Sequence, residues 1–168
     1  MSGFVRNLNR IKTLCNQDWL SPSQKAALDT LTQGILYPGT TNLWGPAGVG
    51  KTFLAWILQQ ETGAEYVPHI SAVATSREMR GCTMIVDNCS PDRISHRNTL
   101  NQLRLANVSS AILVSRELIQ DYTSHVELVC SEADLNHIRS VLVPLGIFTL
   151  REDISSLWYV VNPYFALD

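Results

Sequence analysis

Residues 41–56 read TNLWGPAGVGKTFLAW. Within this stretch Gly45, Gly50, Lys51 and Thr52 complete the pattern G-x-x-x-x-G-K-[ST], with Pro46, Ala47, Gly48 and Val49 filling the interval. The residue types follow from what a chain of phosphates requires. Glycines let the backbone wrap against phosphate oxygens and turn its N–H groups towards them, and a helix starting near Lys51 adds the positive end of its dipole. A lysine here reaches the β- and γ-phosphates, and the Thr52 hydroxyl is placed for Mg²⁺. The pattern lies between an apolar, strand-like approach and a helix-like exit, the context such a loop needs, and Lys51 is the only lysine after Lys25. Residues 45–52 are therefore expected to hold ATP with Mg²⁺. No Asn-Lys-x-Asp guanine reader occurs, which favours adenine.

A phosphate loop of this kind works with an acid at the end of a neighbouring strand. Downstream, TMIVDN at residues 83–88 is an apolar, β-branched run that ends in Asp87, the expected partner of Thr52 in the metal shell. SSAILVS, residues 109–115, repeats the design and ends in Ser115, which is expected to reach the γ-phosphate or an attacking water. The expected catalytic set is thus Lys51, Asp87 and Ser115.

Working outward, helix and strand signals alternate along the chain. Phe4, Leu8, Ile11 and Cys15 share one face at helical spacing, so residues 1–20 are expected to form a basic amphipathic helix. Ser21, Pro22 and Gln24 then open a second helix with a capping box, expected to run to about Thr32 before Gly34. Pro38 and Gly39 turn the chain into the strand before the loop. After the loop, KTFLAWILQQ reads as a helix stopping near Gly63, EYVPHI (residues 65–70) as a strand, RISHRNTLNQLRLA as a helix, HVELVC as a strand, EADLNHIRSVL as a helix, and SLWYVV (residues 156–161) as a last strand. Such alternation predicts an α/β three-layer fold, a mostly parallel central sheet with helices on both faces. One domain over residues 1–168, with 21–168 as its core, suits the length.

Composition bounds the function. With 45% apolar and 17% charged residues the chain resembles an ordinary globular protein, and no run approaches the roughly 20 apolar residues of a membrane span. The opening MSGFVRNLNR does not read as a secretory leader. Cys15, Cys82, Cys89 and Cys130 show no CxxC pairing and read as the free, buried thiols of a cytoplasmic protein. The four histidines lack metal spacing, and the four tryptophans read as packing residues. A net charge of −2 does not favour a nucleic-acid surface, which needs clustered positive charge. Basic residues do gather early (Arg6, Arg10, Lys12, Lys25) and acidic ones late (Glu117, Asp121, Glu127, Glu132, Asp134, Glu152, Asp153), a polarity that suits self-association or a protein partner.

The stretch LDTLTQGILYPGTTNLWGPAGVGKTFLAWILQ, residues 28–59, resembles the start of the ATPase core shared by the RecA/RadA recombinases and the KaiC-type clock ATPases. CTMIVDN and SSAILVS are similar to its later strands. The resemblance implies a RecA-like fold, phosphate, lysine and magnesium roles for Gly45, Gly50, Lys51 and Thr52, a metal role for Asp87, action within an oligomer, and a place in DNA recombination or repair. The AAA+ ATPase core is the nearest rival; there Arg104 resembles a finger reaching a neighbouring subunit, and ELVCSEADLNHIRSVL the entry to a helical lid. Gln24 is similar in position to the adenine-reading glutamine of helicases.

Departures from both families bear on activity. RecA-like enzymes carry a water-polarising glutamate at the end of the strand after the loop, whereas here Glu65 stands at that strand's beginning. AAA+ enzymes place a glutamate directly after the metal aspartate, and this chain has Asn88 there, an amide that takes no proton from water. Glu65, Glu78 and Glu117 remain as candidate bases, and slow turnover is expected.

Overall fold

The computed structural model describes residues 9, 11–73, 81–119, 122 and 124–142. The expected strand at 156–161, Glu78, Phe4 and Leu8 lie outside them. Five strands form one sheet: β1 (Gly39–Trp44), β2 (Glu65–Val67), β3 (Thr83–Cys89), β4 (Ser110–Ser115) and β5 (Ser124–Glu127). Their spatial order is β2-β3-β4-β1-β5, and every pairing is parallel.

Alternation along the central strands sorts the core into two layers. Leu43, Ile85, Ile112, Val114 and Val126 face one side, where they pack with Ala27, Leu28 and Leu31 of α1 (Pro22–Gly34) and Leu54, Ile57 and Leu58 of α2 (Lys51–Thr62). Met84, Val86, Ala111 and Leu113 face the other side and meet Leu103 of α3 (Arg93–Leu105). Because β4 is buried along its whole length, its interior from Ala111 to Val114 is continuously apolar and not apolar at alternate positions only. The result is the expected three-layer α/β arrangement.

Element ends follow local chemistry. Ser21 and Gln24 form the expected reciprocal capping box, though α1 runs two residues past Thr32 to Gly34. Gly63, at φ 70°, ends α2 where a left-handed residue is needed. The expected strand over residues 65–70 stops at Val67, because Pro68 has no N–H for the ladder; a 3₁₀ turn at Ile70–Ala72 follows. β5 covers Ser124–Glu127, the first part of the predicted segment. Of the basic N-terminal helix, the described residues are helical at 9 and 11–13, and a 3₁₀ turn follows at Gln17–Trp19.

Ile11 packs with Leu135, Ile138 and Leu142 of α4 (Glu132–Leu142), forming a small third cluster beside Phe53. α4 is fastened to α1 by one carboxylate. Asp134 accepts hydrogen bonds from the Ser23 amide at 2.8 Å, the Ser23 hydroxyl at 2.7 Å and the Ser131 amide at 2.7 Å. Burial opposes its charge, yet the donors from Ser131 and Ser23 prevail and hold the carboxyl well below the usual carboxylate range. A depressed value means the clasp is complete above the unfolded pKa of about 3.9 and weakens as pH falls below it. Asp134→Asn is therefore expected to cost about 2 kcal/mol at neutral pH, a deficit that stays constant down to about pH 4 and shrinks below it, read from thermal melts across pH.

Candidate functional site

In this strand order the carboxyl ends of β1, β3 and β4 are neighbours, and β1 leads to the far edge strand β2 while β4 lies beside it. The crevice at such a reversal is where open α/β sheets bind ligands. Three short loops meet there.

The first is the glycine loop after β1. Gly45 has φ 150°, and a Cβ on it would stand 2.2 Å from the Leu128 carbonyl oxygen, because the chain leaving β5 crosses here and the Leu128 amide donates to the Trp44 carbonyl at 2.8 Å. Gly50, at φ 89°, is the N-cap of α2 and offers no side chain to occupy the helix's free amides. Val49 is a buried peg in the main core. Its carbonyl accepts from the Gln24 amide at 3.4 Å, while Gln24 Oε1 accepts from the Ser21 amide at 3.0 Å. Gln24 thus ties α1 to the loop, with both ends of its amide engaged, and it also lines the cavity.

Lys51 opens α2 and is buried. Its ammonium donates to the loop's own carbonyls, Gly45 at 2.6 Å and Pro46 at 2.7 Å. Burial lowers its pKa, Asp87 acts in the opposite sense, and Arg116 lowers it again. The next residue, Thr52, donates its hydroxyl to Asp87 Oδ2 at 2.7 Å. The structure therefore brings Lys51, Thr52 and Asp87 together as the sequence pattern expects.

The second loop follows β3. The ladder to β4 is regular through Val86↔Leu113 and resumes at Cys89↔Ser115, so β3 carries one extra residue. This bulge re-aims Asp87. Asn88, at φ 53°, adopts the left-handed conformation that asparagine tolerates best among residues with side chains. Its amide nitrogen donates to Asp87 Oδ1 at 2.8 Å, and its side chain donates to the Pro68 carbonyl at 3.1 Å. The position that carries a base in AAA+ enzymes is here a tether between β3 and the end of β2. A further partner was not foreseen: the Tyr66 hydroxyl donates to Asp87 Oδ2 at 2.9 Å. Burial and the Asp87 charge raise the Tyr66 pKa, which keeps it a donor. Burial and Asp87 likewise push the Cys89 thiol up to about 12, so it is no nucleophile at neutral pH.

The third loop follows β4. Ser115 lines the cavity, and its hydroxyl accepts from Asn42 Nδ2 at 2.9 Å and donates to the Glu117 carbonyl at 2.6 Å. Neither Asn42 nor Arg116, the cation after Ser115, is marked by any short motif. Of the candidate bases, Glu65 pairs with Met84, three residues short of Asp87, and Glu117 is exposed at the cavity wall. Arg104 lies elsewhere: α3 carries the chain from the carboxyl end of β3 back to the start of β4, so its last turn sits at the opposite end of the sheet.

Together the loops open onto a cavity of about 1030 Å³. One end is lined by Pro46, Gly48, Lys51, Thr52 and Asp87, the other by Ile11, Trp19, Phe53, Ile138 and Leu142. An anion-seeking end and an apolar end in one cleft suit a phosphorylated ligand with a flat, apolar base. A hydroxyl and a carboxylate 2.7 Å apart form the sparse oxygen donor set that suits Mg²⁺, which keeps several waters and takes further oxygens from phosphate. No group of three or more His, Cys, Asp or Glu side chains that could hold a metal ion occurs among the described residues. No described helix is long and apolar enough to cross a membrane.

No protein-family model matches the sequence, and no curated protein does. Solved structures do. The replication initiator DnaA bound to AMPPCP and single-stranded DNA matches with a TM-score of 0.50 at 14% identity, over 82% of this chain and 56% of that one. RuvB of Thermotoga maritima matches with a TM-score of 0.54 at 15% identity, over 88% of this chain and 60% of that one. A DNA replication initiation factor matches with a TM-score of 0.50 at 13% identity, over 81% and 56%. The chain thus spans at most 60% of the length of these structures, and at such identities the likeness is one of fold.

Proposed function

We propose that this chain is an ATP-binding module of the P-loop ATPase class, with Mg²⁺ as its metal and slow turnover of its own, serving as a nucleotide-dependent switch in an oligomer or a complex. The observation that carries the reading is the juxtaposition of Lys51 and the 2.7 Å Thr52–Asp87 pair at the mouth of a glycine loop. The loop amides and the amino end of α2 bind phosphate oxygens, and Lys51 exchanges carbonyl partners for them. Thr52 and Asp87 hold the metal shell, and Tyr66 and the Asn88 amide fix the carboxylate. Bound there, Mg²⁺ would neutralise phosphate charge. Ser115 is assigned a place at the outer phosphate. Between the two cores that the sequence resembles, the likeness to DnaA and RuvB supports the AAA+ type. The RecA/KaiC-type reading, with its link to recombination, rests on residues 28–59. Protein partners or further copies are favoured over nucleic acid by the net charge of −2, and a cytoplasmic location fits the free thiols.

Slow turnover follows from the Asp87–Asn88 pair. A general base contributes about 10²- to 10⁴-fold to such a reaction, and Asn88 supplies none. Restoring the acid alone is not expected to restore the rate. Asn88→Glu loses the Pro68 tether and places glutamate in a left-handed backbone, so phosphate release is expected to rise by less than about tenfold. A hundredfold rise would show that the missing carboxylate is the whole defect. The reading itself is tested by titrating ATP with and without Mg²⁺ while following heat, size and phosphate release. Saturable, metal-dependent uptake with little release is expected. Release on the order of 10 per second would overturn the slow switch, and no uptake at millimolar ATP would overturn the site.

A further inference from the structure

The carboxyl end of β4 holds a positive charge that the phosphate motif does not include. Arg116 follows Ser115 and lines the same cavity as Lys51, Thr52 and Asp87. Its backbone is fixed from both sides. Asn42, fully buried on β1, donates to the Leu113 carbonyl at 3.0 Å and to Ser115 Oγ at 2.9 Å, and its Oδ1 accepts from the Ile119 amide at 2.9 Å. Ser115 in turn donates to the Glu117 carbonyl at 2.6 Å. These bonds pin the turn from Ser115 to Ile119 against β1, and Arg116 stands exposed between its anchors. A buried asparagine that spends its whole amide on one turn is a costly feature unless the turn's shape matters.

The charge at that turn has a direction. Arg116 and Lys51 line the same cavity from opposite loops, one after β4 and one at the start of α2. Two cations converging on one cleft repel until an anion lies between them. The loop amides and the start of α2 serve the phosphates lying along the loop, so the cation added from β4 is left for an oxygen cluster beyond them. A guanidinium is suited to it, since its planar fork pairs with two phosphate oxygens at once.

We propose that Arg116 is the residue by which this chain distinguishes a nucleoside triphosphate from a diphosphate, through direct contact with the terminal phosphate of a nucleotide held in its own loop. Asn42 and Ser115 are the positioning residues that present it. The proposal rests on the nucleotide-binding reading given above.

The test is calorimetric titration of the wild type, Arg116→Ala and Arg116→Lys with MgADP and with Mg-AMPPCP, a triphosphate analogue that resists hydrolysis. The wild type is expected to prefer AMPPCP. Arg116→Ala should weaken AMPPCP binding by about tenfold or more and leave ADP binding within about twofold, with Arg116→Lys in between. A variant that keeps the wild-type preference overturns the proposal and leaves the nucleotide site standing. So does a loss that appears only at protein concentrations where copies associate, since Arg116 would then serve a neighbour. A wild type that takes up neither nucleotide overturns the underlying reading instead.

Discussion

Gly45→Ala is expected to destabilise the protein by about 3 kcal/mol or more and to abolish nucleotide binding. The added methyl would stand 2.2 Å from a backbone carbonyl, that of Leu128, which cannot turn aside as a flexible side chain would. Moving Leu128 breaks its bond to the Trp44 carbonyl, which continues the β1–β5 pairing beyond Glu127, and Leu128 itself is fully buried in the main core. A matched control separates this clash from simple backbone strain. Gly63 also has a positive φ, 70°, yet a Cβ there meets nothing within 4 Å. Gly63→Ala should cost only about 1 kcal/mol. Thermal melts should show a melting temperature lower by roughly 6–12 °C for Gly45→Ala and by a few degrees for Gly63→Ala. Equal losses would mean that the crossing of loop and β5 exit is not what demands glycine.

Lys51→Ala is expected to reduce MgATP affinity by about 100-fold, close to 2.7 kcal/mol, with a smaller loss of stability. The two effects divide because of where the ammonium sits. Burial already disfavours its charge, and of the two carbonyls it holds, that of Pro46 belongs to an exposed residue lining the cavity, where water can replace the ammonium, while that of Gly45 is buried. Removing it therefore takes away a phosphate ligand and leaves one buried group, the Gly45 carbonyl, without that partner. Calorimetric titration beside a thermal melt measures both. Unchanged affinity would remove Lys51 from the site, and a large drop in melting temperature would make it a structural residue first.

The parts of the site that a linear pattern can carry were legible. The loop at 45–52 and the capping box at Ser21–Gln24 are contiguous, and Asp87 and Ser115 were found because buried parallel strands read as apolar runs that end in polar residues. What escaped depends on which strands become neighbours. Asn42 bonds Ser115, 73 residues away, only because β1 and β4 are adjacent, and Tyr66 meets Asp87 only because β2 pairs with β3. Gln24 was legible as a cap, yet its bond to Val49 depends on how α1 lies against α2. Asn88 reads in the sequence as the absence of a base; the bulge shows it also as the residue whose backbone and amide make that corner. Where Arg104 lies could not be read from its place in sequence, which says nothing of the end of the sheet to which α3 returns it.

The engaged state of Lys51 sets the terms on which any anion enters. Two of the three ammonium hydrogens already have good acceptors in the loop, so an arriving phosphate swaps partners and does not fill an empty socket. The heat released is then a small difference between two comparable sets of bonds. Selectivity among anions accordingly falls to shape and charge number, and a weakly charged ion such as chloride has little means of displacing the loop's own oxygens.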